Sequence, residues 1–99
     1  MKLKFLKTQK QANNDNGYIV SFYRINNKLL KFFYEARNNT NDSYTVYIFD
    51  GNKWNFFLGN EDLQIERKSS YLLTKEEKLQ KAEDSTKKAL QLTKILLKE

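Results

Sequence analysis

The sequence predicts an α+β domain: a strongly curved antiparallel β-meander of four to five strands, followed by one long C-terminal α-helix packed on one face. Three observations lead to this fold class. Short apolar runs with strand-like alternation fill the first 73 residues, turn residues separate them, and a helix-capping signal begins at residue 74. At 99 residues and 11.8 kDa the chain has the length of one domain. We expect the sheet to occupy residues 1–73 and the helix residues 74–98.

Turn residues divide the sheet region into strands. Asn13 to Gly17 is rich in Asn, Asp and Gly, which tolerate the left-handed backbone of a reversal. Asn26-Asn27 and Asp50-Gly51-Asn52 each lie between two apolar runs and predict β-hairpins. The predicted strands cover residues 2–9, 18–25, 28–36, 44–50 and 53–58, with short extended pieces at 63–67 and 70–73.

The C-terminal helix begins at a capping box. The Thr74 hydroxyl is placed to accept from the Glu77 backbone N–H, and the Glu77 side chain to reach back. A helical period then continues to residue 97, and the expected packing residues are Leu79, Ala82, Thr86, Ala89, Leu90, Thr93, Leu96 and Leu97. Leu92 and Ile95 widen the apolar arc at the end, which indicates deeper burial or a helix–helix contact between subunits.

A two-residue turn at Asn26-Asn27 fixes which side chains of the first hairpin share a face. One face is almost wholly apolar and suits the helix; it carries Ile19, Ser21, Tyr23, Ile25, Leu30, Phe32 and Tyr34. The other, which we call the mixed face, carries Val20, Phe22, Arg24, Leu29, Lys31 and Phe33. In the second hairpin the alternation groups Tyr47, Phe49, Trp54, Phe56 and Leu58 against Tyr44, Val46, Ile48, Lys53 and Phe57. A three-residue turn would regroup these side chains, but aromatic residues would still lie on both faces.

The sheet carries more aromatic residues than one helix can cover. Twelve of the fourteen aromatic residues lie between Tyr18 and Phe57. The uncovered face has three possible roles: core of a sheet that curls over itself, interface with a second copy or another protein, or surface for single-stranded nucleic acid. In the last case Phe22, Phe33 and Phe57 would stack on bases while Arg24, Lys31 and Lys53 neutralise phosphates.

The charge distribution is compatible with the nucleic-acid role. The net charge is +6, of which +4 comes from residues 1–10 and +2 from residues 74–99, while residues 11–73 are neutral. A basic excess attracts nucleic acid or an anionic membrane. The alternative interpretation is that lysines on a terminal strand prevent edge-to-edge aggregation.

The composition excludes most catalytic chemistry. The chain has no His and no Cys, which removes Cys/His zinc sites, Ser-His-Asp and Cys-His nucleophiles, and disulfides. Its three glycines are isolated, so there is no phosphate-cradling loop. We expect no enzymatic activity, no cofactor and no metal. No run approaches the ~18 apolar residues of a membrane span, and no signal peptide is recognised, so we expect a cytoplasmic protein.

These observations predict a small non-enzymatic binding protein, with single-stranded nucleic acid as the specific ligand. The alternative is a protein–protein interaction module: a homodimer formed through the mixed face or the helix end, or an inhibitor or immunity-type protein that masks a partner surface. In element order alone the chain resembles PUR-repeat and Whirly-type single-stranded nucleic-acid binders, and equally PH-like domains. No residue motif accompanies this resemblance, so it assigns no site.

Overall fold

The computed structural model describes residues 3–12, 16–37, 42–65 and 73–98. Five antiparallel strands form one open sheet in the order β1-β2-β3-β4-β5, which confirms the predicted meander and α+β class. The elements are β1 (Leu3–Ala12), β2 (Asn16–Ile25), β3 (Lys28–Arg37), β4 (Ser43–Phe49), β5 (Trp54–Gly59), α1 (Asn60–Leu63) and α2 (Lys75–Leu96). Among the described residues no helix is long and apolar enough to cross a membrane.

Both predicted hairpins form, each for a local reason. Asn26 and Asn27 adopt φ values of 49° and 65°, the positive values that a tight hairpin turn requires, and Ile25 pairs with Lys28 as predicted. In the second turn Gly51 has a φ of 101°. There the Asp50 carboxylate accepts the backbone N–H groups of Asn52 at 2.8 Å and Lys53 at 2.9 Å. Lys53 is therefore a turn residue and not the first residue of β5.

Two β-bulges change which side chains face α2. In β1 the pairing shifts between Phe5 and Lys7, so Leu6 is the extra residue. In β5 Phe56 pairs with Tyr47 while Leu58 pairs with Val46, so the extra residue is Phe57. Leu58 is consequently buried in the core, and the prediction that it shares a face with Phe56 is wrong.

The core lies between the sheet and α2, and it matches large sheet residues with small helix residues. Phe32, Tyr34 and Tyr44 are at most 1% exposed, and they face a helix surface built largely from small side chains. The buried residues of α2 are Lys78, Ala82, Ser85, Thr86, Ala89 and Thr93. Small side chains let the helix axis approach the aromatic layer closely. The predicted stripe is therefore displaced: the three leucines 79, 90 and 97 are half-buried, and Leu96 is 52% exposed.

Polar contacts join the helices to the sheet. The predicted capping box at Thr74 is present, with Glu77 N donating to Thr74 Oγ1 at 3.1 Å and Thr74 N to Glu77 Oε1 at 3.0 Å. The buried carboxylate of Asp42 accepts from the Tyr34 hydroxyl at 2.9 Å and pairs with Lys81 of α2. At the other end of α2, Asn26 Nδ2 donates to the Leu97 carbonyl at 2.9 Å. These contacts fix α2 across β1, β2 and β3.

The short extended piece predicted at residues 63–67 is wrong where the structure describes it. Leu63 ends α1 instead, and Gln64 adopts a φ of 55°. The physical reason is the capping of α1, since the Asp62 carboxylate accepts the Gly59 N–H at 2.8 Å and so favours a helical turn. Residues 66–67 and 70–72, which carry the rest of the two predicted pieces, lie outside the described residues.

Candidate nucleic-acid interface

The candidate site is the sheet face opposite α2, which we call the open face. Because side chains alternate along each strand, the register assigns its members directly. From β2 to β5 they are Tyr18, Val20, Phe22, Arg24, Leu29, Lys31, Phe33, Glu35, Thr45, Tyr47, Phe49, Trp54 and Phe56. The β1 bulge adds Lys7, which pairs with Phe22. The open face thus contains the whole mixed face predicted from the sequence.

Aromatic rings and ammonium groups interleave near the middle of the open face. Lys31 Nζ lies 4.8 Å from the centroid of the Tyr47 ring and 5.0 Å from that of Trp54. Lys7 Nζ lies 5.0 Å from the centroid of the Phe22 ring. Both separations are within cation–π range. We call the residues Lys7, Phe22, Lys31, Tyr47, Phe49 and Trp54 the Trp54 cluster.

The Trp54 cluster contains side chains from strands that are not neighbours in the sheet. The rings of Phe22 on β2 and Trp54 on β5 are 6.0 Å apart between centroids, although two strands lie between them. Three strand spacings amount to about 14 Å, so these side chains lean toward each other over Lys31. Phe49 completes the group, with its ring centroid 5.1 Å from that of Trp54. The result is a compact aromatic surface around a lysine.

A second aromatic pair lies further along the same face. The rings of Tyr18 and Phe33 are nearly parallel, with an interplanar angle of 18° and a centroid distance of 6.2 Å. The Tyr18 hydroxyl donates to Gln11 Oε1 at 2.8 Å, which orients the ring from the side of β1. Tyr18 and Phe22 are separated by four residues of β2, about 13 Å. The open face therefore offers two aromatic positions along one line.

The structure brings together four of the six site residues predicted from the sequence. Phe22 and Lys31 are direct register partners, and Phe33 and Arg24 flank them on the same face. The other two are placed elsewhere. Lys53 is exposed in the β4–β5 turn, and Phe57 packs against the core because of the β5 bulge.

Sequence reasoning missed Tyr47 and Trp54, the two rings that contact Lys31. Strict alternation grouped them with Leu58, and that grouping resembles a core face. The signal that could have found them is the apolar run Phe56-Phe57-Leu58, which breaks the alternation. Such a run in an otherwise alternating strand is typical of a bulge, after which the face assignment reverses.

The open face carries more basic than acidic side chains. None of the ion pairs observed among the described residues involves its cations. Lys4, Lys7 and Arg24 are exposed and Lys31 is half-buried, against a single acid on this face, Glu35. On the opposite side of the sheet, by contrast, Lys10 pairs with Glu83 of α2 and Lys81 pairs with Asp42. Exposed lysines such as Lys87 and Lys88 also lie on α2, but only on the open face do the described cations lie beside aromatic rings.

Among the described residues, no group of three or more acidic side chains converges to hold a metal ion. In the part of the chain that the structure describes, the groups whose pKa values the fold clearly shifts lie off the open face. Burial raises the pKa values of Tyr23, Tyr34 and Tyr44, which lie on the helix side of the sheet, and the fourth group is Asp50. The Lys53 N–H, the Asn55 amide and the Asn52 N–H lower the pKa of Asp50 to about 2. Comparison of the chain with protein-family models, curated proteins and solved structures finds no match.

Proposed function

We propose that the chain is a non-enzymatic binding protein whose open face binds single-stranded nucleic acid. The observation that carries the proposal is the position of the Lys31 ammonium between the rings of Tyr47 and Trp54. A single strand presents flat bases and charged phosphates in alternation, and a surface that alternates rings and cations is complementary to it. The aromatic rings supply stacking without sequence preference.

Binding on this surface requires an exchange at Lys31. In the free protein its ammonium covers part of the ring faces, and a contact of this kind contributes about 0.5–1 kcal/mol at an exposed site and about 2 kcal/mol when desolvated. Stacking of a base on such a ring contributes about 1–3 kcal/mol. A base that displaces the ammonium therefore offsets the lost cation–π contact, and the net gain comes from the released ammonium, which can pair with the adjacent phosphate. The Lys31 ammonium thus makes cation–π contacts with Tyr47 and Trp54 in the free state and binds a phosphate in the bound state.

A partner protein is the second candidate, and a different observation favours it. Phe56 is 63% exposed and Phe49 is 37% exposed at the β4–β5 side of the open face. Exposed aromatic residues beside a tryptophan are typical anchors of protein interfaces. An inhibitor or immunity-type protein would use this patch to mask a partner surface. Such binding would depend on Phe56 and only weakly on salt, whereas nucleic-acid binding depends steeply on salt.

Trp54 is the only tryptophan in the chain, so it reports on the open face without labelling. Titration with oligo-dT should quench its fluorescence, because a stacked base contacts the indole. Phe22→Ala, which removes a ring 6.0 Å from Trp54, should weaken oligo-dT binding by about 1–3 kcal/mol, or roughly 5- to 150-fold. The matched control is Phe5→Ala, which removes a 54% exposed phenylalanine on the other face. Equal behaviour of the two variants, or no quenching by oligo-dT, would refute the proposal.

A further inference from the structure

The two edge strands of the sheet, β1 and β5, differ in how well they are protected against pairing with a further strand. The β1 edge carries Lys4, Lys7 and Lys10 and is bent by a bulge, which are established devices against edge-to-edge pairing. The β5 edge, Trp54–Gly59, contains no charged residue and no proline. Among the described residues no strand pairs with its outer side. An uncharged edge strand is a template for a further strand.

The hydrogen-bond pattern shows which backbone groups of β5 point outward. Asp50 N donates to the Lys53 carbonyl at 3.1 Å, so this pair is hydrogen-bonded. Hydrogen-bonded and non-hydrogen-bonded pairs alternate along an antiparallel ladder. Asn55, opposite Ile48, therefore bonds to β4, while the N–H and C=O groups of Trp54 and Phe56 point away from the sheet. The bulge at Phe57 ends this regular stretch.

We propose that the chain forms a two-fold symmetric dimer in which β5 pairs antiparallel with β5 of a second copy. With Asn55 on the two-fold axis, Trp54 of each copy lies opposite Phe56 of the other. Both of these pairs are hydrogen-bonded, so all the outward backbone groups of the two residues are satisfied. Each pair also places an indole beside a phenyl ring on the open face, a stabilising cross-strand contact that the symmetry repeats.

The charges near β5 favour a second copy as the occupant. In this register the turn that carries Lys53 extends toward α1 of the other copy, whose first turn contains Glu61 and Asp62. All three side chains are exposed. Pairing of two β1 edges would instead bring lysines of like charge together. Two copies of the β5 edge are thus complementary in their outward backbone groups, their aromatic rings and the charges that flank them. Because only the short stretch from Trp54 to Phe56 pairs regularly, the dimer should be concentration-dependent.

The dimer does not depend on nucleic-acid binding, although it would join two open faces into one continuous surface. Sedimentation of the wild type should show a species of twice 11.8 kDa that grows with protein concentration over the micromolar range. Because the chain has no cysteine, a single introduced thiol gives an unambiguous cross-link. Asn55→Cys places two thiols in a non-hydrogen-bonded pair, where Cα atoms are about 4.5 Å apart, within disulfide reach. It should form a disulfide-linked dimer on mild oxidation, whereas Gln9→Cys on the β1 edge should not.

A charge substitution tests the same edge without a cross-link. Phe56→Lys should weaken dimerisation at least about tenfold, because the change occurs twice in the interface, removes both indole–phenyl contacts and brings two like charges together. Phe5→Lys, an equivalent change on the opposite edge, should leave the dimer intact, and circular dichroism should confirm that both variants fold. Three results would overturn the proposal: a wild-type monomer at all concentrations up to several hundred micromolar, a dimer insensitive to Phe56→Lys, or equal cross-linking through positions 55 and 9.

Discussion

The attachment of α2 to the sheet depends on the buried carboxylate of Asp42, and its removal gives the sharpest test of the fold. The Asp42 side chain is 0% exposed, pairs with Lys81 and accepts the Tyr34 hydroxyl at 2.9 Å. Asp42→Asn retains an acceptor for Tyr34 but removes the carboxylate that pairs with the Lys81 ammonium. Breaking a buried ion pair costs about 3–5 kcal/mol. Lys81 is 33% exposed and can partly rehydrate, so we expect a smaller cost, about 2–3 kcal/mol.

Chemical denaturation in urea, followed by circular dichroism, measures this cost directly. For a domain of this size each kcal/mol lowers Tm by about 4–8 °C, so Asp42→Asn should melt about 10–20 °C below the wild type. The control is Asp84→Asn, which alters an exposed carboxylate whose observed partner is Gln80 on the same helix. It should change stability by less than about 0.5 kcal/mol. If Asp42→Asn matched this control, the Asp42–Lys81 pair would not hold α2 to the sheet, and the reasoning would be wrong.

Three further predictions concern the core, the open face and the second turn. Ala89→Leu, at a position 0% exposed, should destabilise by about 1–3 kcal/mol in a urea melt through overpacking, whereas Leu96→Ala, 52% exposed, should stay within about 0.5 kcal/mol. Lys31→Ala should flatten the salt dependence of oligo-dT binding by about 0.7 in log–log slope, while Lys87→Ala on the exposed side of α2 should leave it unchanged. Asp50 has its pKa lowered from 3.8 to about 2, so its stabilising contribution is present above pH 4 and lost as pH falls toward 2. Between pH 4 and 2 the Tm of the wild type should therefore fall more steeply than that of Asp50→Asn.

The first hairpin could be predicted from the sequence in full, because its register depends on local information alone. The two asparagines of its turn adopt the positive φ values that the sequence indicates, and strict alternation then assigns every side chain to a face. In this way the alternation places Phe22, Lys31 and Phe33 on one face of the sheet. The capping box at Thr74 was predictable for the same reason, since its two partners are three residues apart.

The second hairpin could not be assigned correctly, because a single extra residue reverses the faces. The apolar run at residues 56–58 indicates that a bulge is possible, but packing against the core is what places it at Phe57. The buried face of α2 also differs from the prediction because packing decides it. Apolar periodicity favours the leucines as packing residues, whereas the aromatic layer below α2 requires small side chains for close approach. Ala89 is therefore buried and Leu96 is exposed. Long-range complementarity of this kind is not contained in a local pattern.

Under the proposed function, rings and cations of the open face act together on a single strand. Fluorescence anisotropy of labelled oligo-dT, measured with the wild type over a salt series from about 50 to 300 mM, separates the two contributions. With four cations beside the rings, we expect log K to fall with log salt at a slope of about −2 to −3, at about 0.7 per neutralised phosphate. Phe33→Ala should lower affinity at every salt concentration without changing that slope, because stacking releases no counterions. Binding at about 50 mM salt no tighter than that of an unrelated protein of equal net charge, or a Phe33→Ala variant indistinguishable from the wild type, would show that the open face is not a nucleic-acid site.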